Sequence, residues 1–411
     1  MSTKNNHIDK KKTNSTKINK DKTVDGEQEA ITEAEESTET EESTETEEST
    51  KIEESNETEQ LTTNDSKFSL SQKRKINLYK ALRIVCLIGF IIFTALFINE
   101  VFIGPYRVKQ SVEHTKELYN AANITASISA PFATATPAIS EDELPGSEKN
   151  ILNDPNRDEK GRLLQFKELL SKNEDVKGWI TIPDSNIDYV VMQSDKEDPE
   201  YYLTRDMFGE TIKAGSLFLD YKSSVETPTQ NMVIHGHNMT SSDNMFHYLI
   251  YYKELDYYKK RPVFTFDTIY ATGQWKIFAV FITNGTSTKE PLFNYTKASF
   301  EDSSAFLNFV YQLRIRSMYN MDTVDINEND QILTLSTCSY EVKNYRTVIV
   351  ARKVREGEDI SVDVDSISIN PNPLQPGTYY YRFGGEAPEL EATFEEALAD
   401  GKINWYSPLT N

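Results

Sequence analysis

Hydrophobic positions are unevenly distributed along this chain. Between residues 158 and 356 they fall into short runs rich in β-branched and aromatic residues: GWITIPDSNIDYVVMQ, AGSLFLDY, NMVIHGHN, PVFTFDT, QWKIFAVFIT, QILTLSTC and YRTVIVARKV. Each is strand-length, alternates or runs continuously apolar, and is bounded by turn-forming residues. Helical spacing interrupts them in three places. Leu163, Phe166, Leu169 and Leu170 share one face of a predicted helix, Met245 to Tyr258 form a second, and Phe306, Phe309, Val310 and Leu313 line a third within Phe300 to Ser317. Many short strands with few helices predict a mostly β fold with peripheral helices, a mixed β-barrel.

Upstream the pattern changes twice. Ile84 to Ile98 is an unbroken apolar run of fifteen residues, and carrying it past Asn99 and Glu100 to Gly104 gives twenty-one, enough for one transmembrane helix. Six basic residues and no acid occupy 67–83, just before it. That flank places residues 1–83 on the cytoplasmic side and everything after Gly104 outside. The run starts too far from the N-terminus for a cleaved signal peptide. Residues 1–66 carry eight lysines against nineteen acids, repeat the unit EESTET and hold almost no large apolar residue, the composition of a disordered tail. Residues 105–157, rich in Ala, Ser, Thr and Pro, are expected to be an extracellular stalk with a short helix around Ser111 to Ala121. Residues 357–411 form an extension with INPNPLQPG, YYYRF and an amphipathic stretch through Leu390, Phe394, Ala397 and Leu398. Two readings of it stand side by side: NPLQPG near a groove as a regulator, or the segment covering a sheet edge.

The formal net charge is −21. Without a net positive field to replace phosphate counterions, a nucleic-acid partner is disfavoured. Cys86 lies in the membrane run, which leaves Cys338 as the single cysteine outside, with no intramolecular disulfide partner.

Cys338 ends one strand-like run and Arg346 opens the next, so antiparallel pairing of the two brings the guanidinium back to the thiol. Arginine there supplies a fixed fork of donors suited to a carbonyl or a developing oxyanion. An acid or base is still needed. Of five histidines, His7 is in the tail and His114 in the stalk. Among His235, His237 and His247, His237 stands after a glycine where a strand ends, a common place for a catalytic side chain. His235 and His237 share a strand face and could hold a metal, but no carboxylate or thiol pattern accompanies them. No GxSxG, HExxH or phosphate-binding glycine loop is present.

These residues resemble a class B sortase. TLSTC at 334–338 with Arg346 eight residues later matches the signature of that family, and IHGHN matches its strand-end Gly-His, which maps the catalytic histidine onto His237. DVKGWITIPDSNIDYVVMQ, YYLTRDMFG, AGSLFLDY, MFHYLIYYKELDYYKKRP and RIRSMYN follow the same pattern in order, over about Arg162 to Arg355. Val190 stands where the family usually has proline, and His235 where it often has tyrosine or a small residue. The resemblance implies a sortase-like barrel and a cysteine transpeptidase, a thiol-protease-like enzyme of Gram-positive cell walls. It would cut a C-terminal sorting signal of secreted proteins, hold the acyl part as a thioester and pass it to an amine of peptidoglycan precursor. In the alternative a pilin lysine accepts the acyl group, or the product is released to water, or the chain is a silent membrane-tethered binding protein. The implied roles are Cys338 as nucleophile, His237 as general acid and base, and Arg346 as holder of the substrate carbonyl or oxyanion, with no metal or cofactor. Ser336, Thr337 and His235 are candidates for the substrate pocket, and the loop Thr283 to Tyr295 for signal recognition.

Overall fold

The computed structural model describes residues 56–129, 154–285 and 292–409. Most of the expected acidic tail (1–55), part of the expected stalk (130–153) and the middle of the expected recognition loop (286–291) lie outside the described residues. The chain divides into two units, Met1–Arg83 and Ile84–Asn411.

Helix α1 spans Asn56–Ile98, so it begins ten residues before the expected end of the tail. Extending a helix adds one hydrogen bond per residue fixed, and the apolar span supplies the nucleus from which it propagates. Among the described residues this is the helix long and apolar enough to cross a membrane. Its large apolar side chains from Leu78 to Ile98 are exposed, so it is not a core helix of the barrel. A π-helical turn, Asn99–Ile103, then leads into α2, Gly104–Ser129, with the Gly104 N–H reaching back to the Asn99 carbonyl. Pro105 explains the widened turn. It has no N–H to donate, and its ring would meet the Val101 carbonyl in a regular α-helix.

Where a stalk was expected, the first turns of α2 lie against the barrel. Val108 and Thr115 are buried, and Val112, Leu118 and Tyr119 pack on the main core. Tyr119 stacks on Trp179 at 4.2 Å between ring centroids, Ser111 Oγ donates to Asp206 Oδ2 at 2.7 Å, and Lys116 pairs with Asp188 at 3.1 Å. Spacings of four, three and four residues put Val108, Val112, Thr115 and Tyr119 on one stripe.

The strands are β1 (Val176–Thr181), β2 (Asp188–Met192), β3 (Leu217–Leu219), β4 (Asn231–His235), β5 (Asn238–Met239), β6 (Asn244–Met245), β7 (Val263–Thr268), β8 (Gln274–Asn284), β9 (Tyr319–Asn320), β10 (Ile332–Ser339), β11 (Tyr345–Lys353) and β12 (Ser368–Ile369). Eight of them close a mixed barrel in the order β1, β2, β3, β4, β10, β11, β8, β7, while β5–β6 and β9–β12 form small ladders outside it. The pairs β2–β3 and β4–β10 are parallel and the rest of the barrel is antiparallel. The expected helices are present but short: α3 (Lys167–Lys172), a 3₁₀ turn at His247–Lys253 followed by α4 (Leu255–Lys260), and α5 (Ser303–Arg314).

The continuous apolar runs of β8 and β11 follow from burial on both faces. Along β11, Ile349 and Ala351 join the core that includes Trp179 and Leu335, while Val348 and Val350 join a second core with Phe306, Val310 and Leu313 of α5. The C-terminal extension completes that second core. Its helix α7, Phe394–Ala399, contributes Phe394 and Ala397, and Trp405 joins them. The NPLQPG segment lies along the chain after α5, where the Leu374 N–H donates to the Ile315 carbonyl. Helix α6, Gly377–Phe383, is tied to the ends of β8 and β11, because Thr378 Oγ1 bonds Asn284 Oδ1 and the Tyr345 hydroxyl.

Candidate active site

Strands β4, β10 and β11 lie side by side, and their ends build a groove of about 370 Å³ that includes Cys338, His237 and Arg346. Cys338 is the register partner of Arg346 across the β10–β11 ladder. The short turn between these strands makes the juxtaposition obligatory, since antiparallel partners alternate faces together. In the β4–β10 ladder His235 is the partner of Ser336, and the Gly236 N–H donates to the Ser336 carbonyl, which carries His237 past the strand end toward Cys338. All three side chains are half-buried.

His237 Nε2 lies 2.9 Å from the Leu203 carbonyl oxygen. A carbonyl only accepts, so Nε2 carries a proton and Nδ1 is the nitrogen left for chemistry. Burial pushes the His237 pKa below the usual histidine value, the nearby Arg346 charge pushes it further down, and the Leu203 hydrogen bond only partly opposes them. The imidazole is therefore mainly neutral at neutral pH. Arg346 Nη1 donates to the Tyr345 carbonyl at 3.3 Å. Its guanidinium lies against Gly285, where a Cβ would stand 2.8 Å from Cζ and 2.7 Å from the Asn344 carbonyl oxygen. A larger residue at 285 would displace the fork.

The nucleophile candidate is also held from behind. Asn238 Nδ2 donates to the Cys338 carbonyl at 2.9 Å. The Asn238 side-chain oxygen in turn accepts from His247 Nδ1 at 2.6 Å, and the Tyr340 hydroxyl donates to the Asn238 carbonyl. Thr337 Oγ1 donates to the Gly236 carbonyl at 2.8 Å, pinning β10 to the turn that carries His237. Ser336 Oγ shares a hydrogen bond of 3.0 Å with the Tyr295 hydroxyl.

Of the pocket candidates read from sequence, Ser336 and Thr337 border the groove with their hydroxyls engaged in these bonds, and His235 borders it paired with Asp220 at 3.2 Å. Within the expected recognition loop, Gly285 and Tyr295 reach the groove from its two ends. Sequence reasoning missed Asp220, Glu200, Asn238 and the Leu203 carbonyl. Asp220 was readable only as the last residue of LFLD, and a main-chain carbonyl leaves no residue-type signal.

Residues 180–354 match the sortase domain family. Among curated proteins, sortase B of Listeria monocytogenes is 33% identical over 181 residues, which is 44% of this chain and 69% of that protein. Sortase B of Staphylococcus aureus is 30% identical over 193 residues, 46% of this chain and 75% of that protein. Among solved structures, a Staphylococcus aureus sortase B–substrate complex is 29% identical, covers 47% of this chain and 86% of that chain, and superposes with a TM-score of 0.42.

Proposed function

The chain belongs to the sortase family, in its class B branch, and is thus a cysteine transpeptidase; from that premise we propose that Cys338, His237 and Arg346 are its catalytic residues. The observation that carries this is their convergence in one groove, with Cys338 and Arg346 in direct register.

The Cys338 sulfur attacks the carbonyl carbon at the cleavage point of a sorting signal. Its proton passes to His237 Nδ1, whose opposite nitrogen is fixed by the Leu203 carbonyl. Negative charge gathers on the substrate oxygen, where the Arg346 fork stabilises it, held in place by the space that the missing Cβ of Gly285 leaves for the guanidinium. When the C–N bond breaks, His237 returns the proton to the departing amine and a thioester remains on Cys338. An incoming amine then takes the acyl group. We assign that amine to peptidoglycan precursor, so the product is a protein anchored to the cell wall.

The helix through Ile98 is the membrane anchor in this reading, with the six basic residues of 67–83 cytoplasmic and the barrel outside. Incubating the full-length protein in detergent with a panel of sorting-signal peptides tests the assignment. The expected result is an acyl adduct on Cys338 by mass spectrometry, lost on adding an amine and absent in Cys338→Ala. A reduced, folded protein that forms no adduct with any peptide would overturn it.

A further inference from the structure

The seat of the Arg346 guanidinium is built at the end of a ladder. Strands β8 and β11 finish where Asn284 faces Tyr345. One step beyond, the Gly285 N–H donates to the Asn344 carbonyl at 2.7 Å. Arg346 Nη1 donates to the Tyr345 carbonyl at 3.3 Å, and Gly285 leaves the space in which the guanidinium lies. Both supports of the fork therefore belong to this last pair and the bond just past it. A ladder end is paired on one side only and opens more readily than a strand interior. A tie from outside the two strands restricts the group that such an end carries.

The C-terminal extension supplies that tie. Thr378 of α6 meets the side chains of both residues of the last pair. The Asn284 side-chain oxygen only accepts, so Thr378 Oγ1 donates to it at 3.2 Å, and the Tyr345 hydroxyl then donates to Thr378 Oγ1 at 2.6 Å. Tyr345 and Asn284 are both buried, where water does not readily replace a lost hydrogen bond. The tie is itself anchored. The Asn370 N–H donates to the Met318 carbonyl and the Leu374 N–H to the Ile315 carbonyl, while the Met318 N–H donates to Val280 of β8. The extension is thus registered against the strand whose end Thr378 holds. Successive strand side chains point to opposite faces, so Tyr345 takes Thr378 on the face opposite the Arg346 fork. Thr378 acts on the fork through the strand ends and not by touching substrate.

Resting on the catalytic assignment of Cys338 and Arg346 above, we propose that Thr378 is a positioning residue through which the C-terminal extension, by tying Tyr345 to Asn284, sets the Arg346 fork for the oxyanion. The extension then serves the reaction as well as the second core.

The test compares two reactions of Cys338 in the full-length protein in detergent. Acetylation by p-nitrophenyl acetate passes through an oxyanion: the sulfur bonds to the ester carbon, the carbonyl electrons gather on oxygen, and their return expels nitrophenolate. Alkylation by iodoacetamide displaces iodide at a saturated carbon and forms no oxyanion. Arg346→Gln should slow acetylation more than alkylation. In Thr378→Val acetylation should fall at least about five-fold with alkylation within about two-fold of wild type, a fraction of what losing an oxyanion donor outright costs. Tyr345→Phe, which removes the hydroxyl at the other end of the tie, should repeat the pattern, and Thr378→Ser should recover most of the rate. Added to Arg346→Gln, Thr378→Val should slow acetylation no further, because both act through one fork. Acetylation within about two-fold of wild type, equal falls in both reactions, or an undiminished further loss on top of Arg346→Gln would overturn the assignment. An Arg346→Gln protein that acetylates at the wild-type rate would instead sink the catalytic reading of Arg346, a result obtained without any Thr378 variant.

Discussion

Phe394→Ala asks whether the C-terminal extension belongs to the folded unit or merely rests on it. Phe394 is 4% exposed and opens α7 in the second core, its ring 5.6 Å from Trp405 and 5.2 Å from Tyr406. Its backbone N–H donates to Asn308 Oδ1 on α5, which fixes the helix start against the barrel-side helix. Removing a buried phenylalanine ring costs about 3–5 kcal/mol, combining lost transfer energy with the cavity left behind. Tyr406 is half-buried, so the site lies near the rim and can partly collapse, which favours the lower end, about 3 kcal/mol. In a domain of this size each kcal/mol moves the midpoint by about 2–4 °C, giving a drop of about 6–12 °C. Scanning calorimetry of the full-length protein at one scan rate would measure it. Trp405→Ala should give a comparable drop, and the double variant less than the sum, because both rings line one cavity. A shift below about 2 °C for either variant would mean that residues 357–411 lie outside the cooperative unit, and the account of the second core would fail.

Three further outcomes follow from the site and its supports. In Gly236→Ala the new Cβ would meet Leu217 Cδ2 at 2.3 Å and Phe246 Cδ2 at 2.8 Å. Such overpacking costs about 1–3 kcal/mol, so both melting temperature and the rate of Cys338 acylation should fall; wild-type values for both would contradict the packing. Arg346→Gln removes the charge that, after burial, depresses the His237 pKa, so that pKa should rise. An NMR titration of His237 reads this, and an unmoved or lower value would refute the electrostatic argument. Burial alone would raise the Glu358 pKa, but hydrogen bonds from Arg352, Lys276 and the Arg355 N–H hold it far below the usual carboxylate range. A depressed folded-state pKa gives stability that is present above the unfolded value of about 4.3 and lost as pH falls through the folded value. Glu358→Gln should therefore lower stability at pH 7 by about 2–3 kcal/mol, because Arg352 is left buried with one partner fewer. It should also flatten the acid-side slope of melting temperature against pH, and an unchanged slope would place the acid sensitivity elsewhere.

Much of the barrel was legible because its strands carry their own signal. Alternation in VFTFDT and apolar continuity in KIFAVFIT and TVIVA state whether one or both faces are buried, and β7, β8 and β11 stand where those runs do. The parallel pairs were not legible, since register between strands distant in sequence depends on the path between them. The docked part of α2 was present in the sequence but hidden by context. Val108, Val112, Thr115 and Tyr119 keep helical spacing, yet charged and small residues surround them, and composition pointed to a stalk. A stripe this sparse becomes meaningful only once Trp179 offers a ring for Tyr119 to cover.

The site divides along the same line. Cys338 and Arg346 could be joined from sequence because two adjacent strands and a short turn permit one antiparallel pairing, and the ladder has it. His237 could be singled out because a glycine and a strand end frame it. What decides the chemistry of each histidine lies elsewhere: the Leu203 carbonyl for His237 and the Asp220 carboxylate for His235. Both partners are more than a dozen residues away in sequence, and one of them is main chain. Each fixes the proton on Nε2 and leaves Nδ1 available, so two neighbouring histidines reach the groove with the same open nitrogen but with different orienting groups, one neutral and one anionic. Burial and the Arg346 charge disfavour the His237 cation, so a proton taken up there is given up readily to a departing amine.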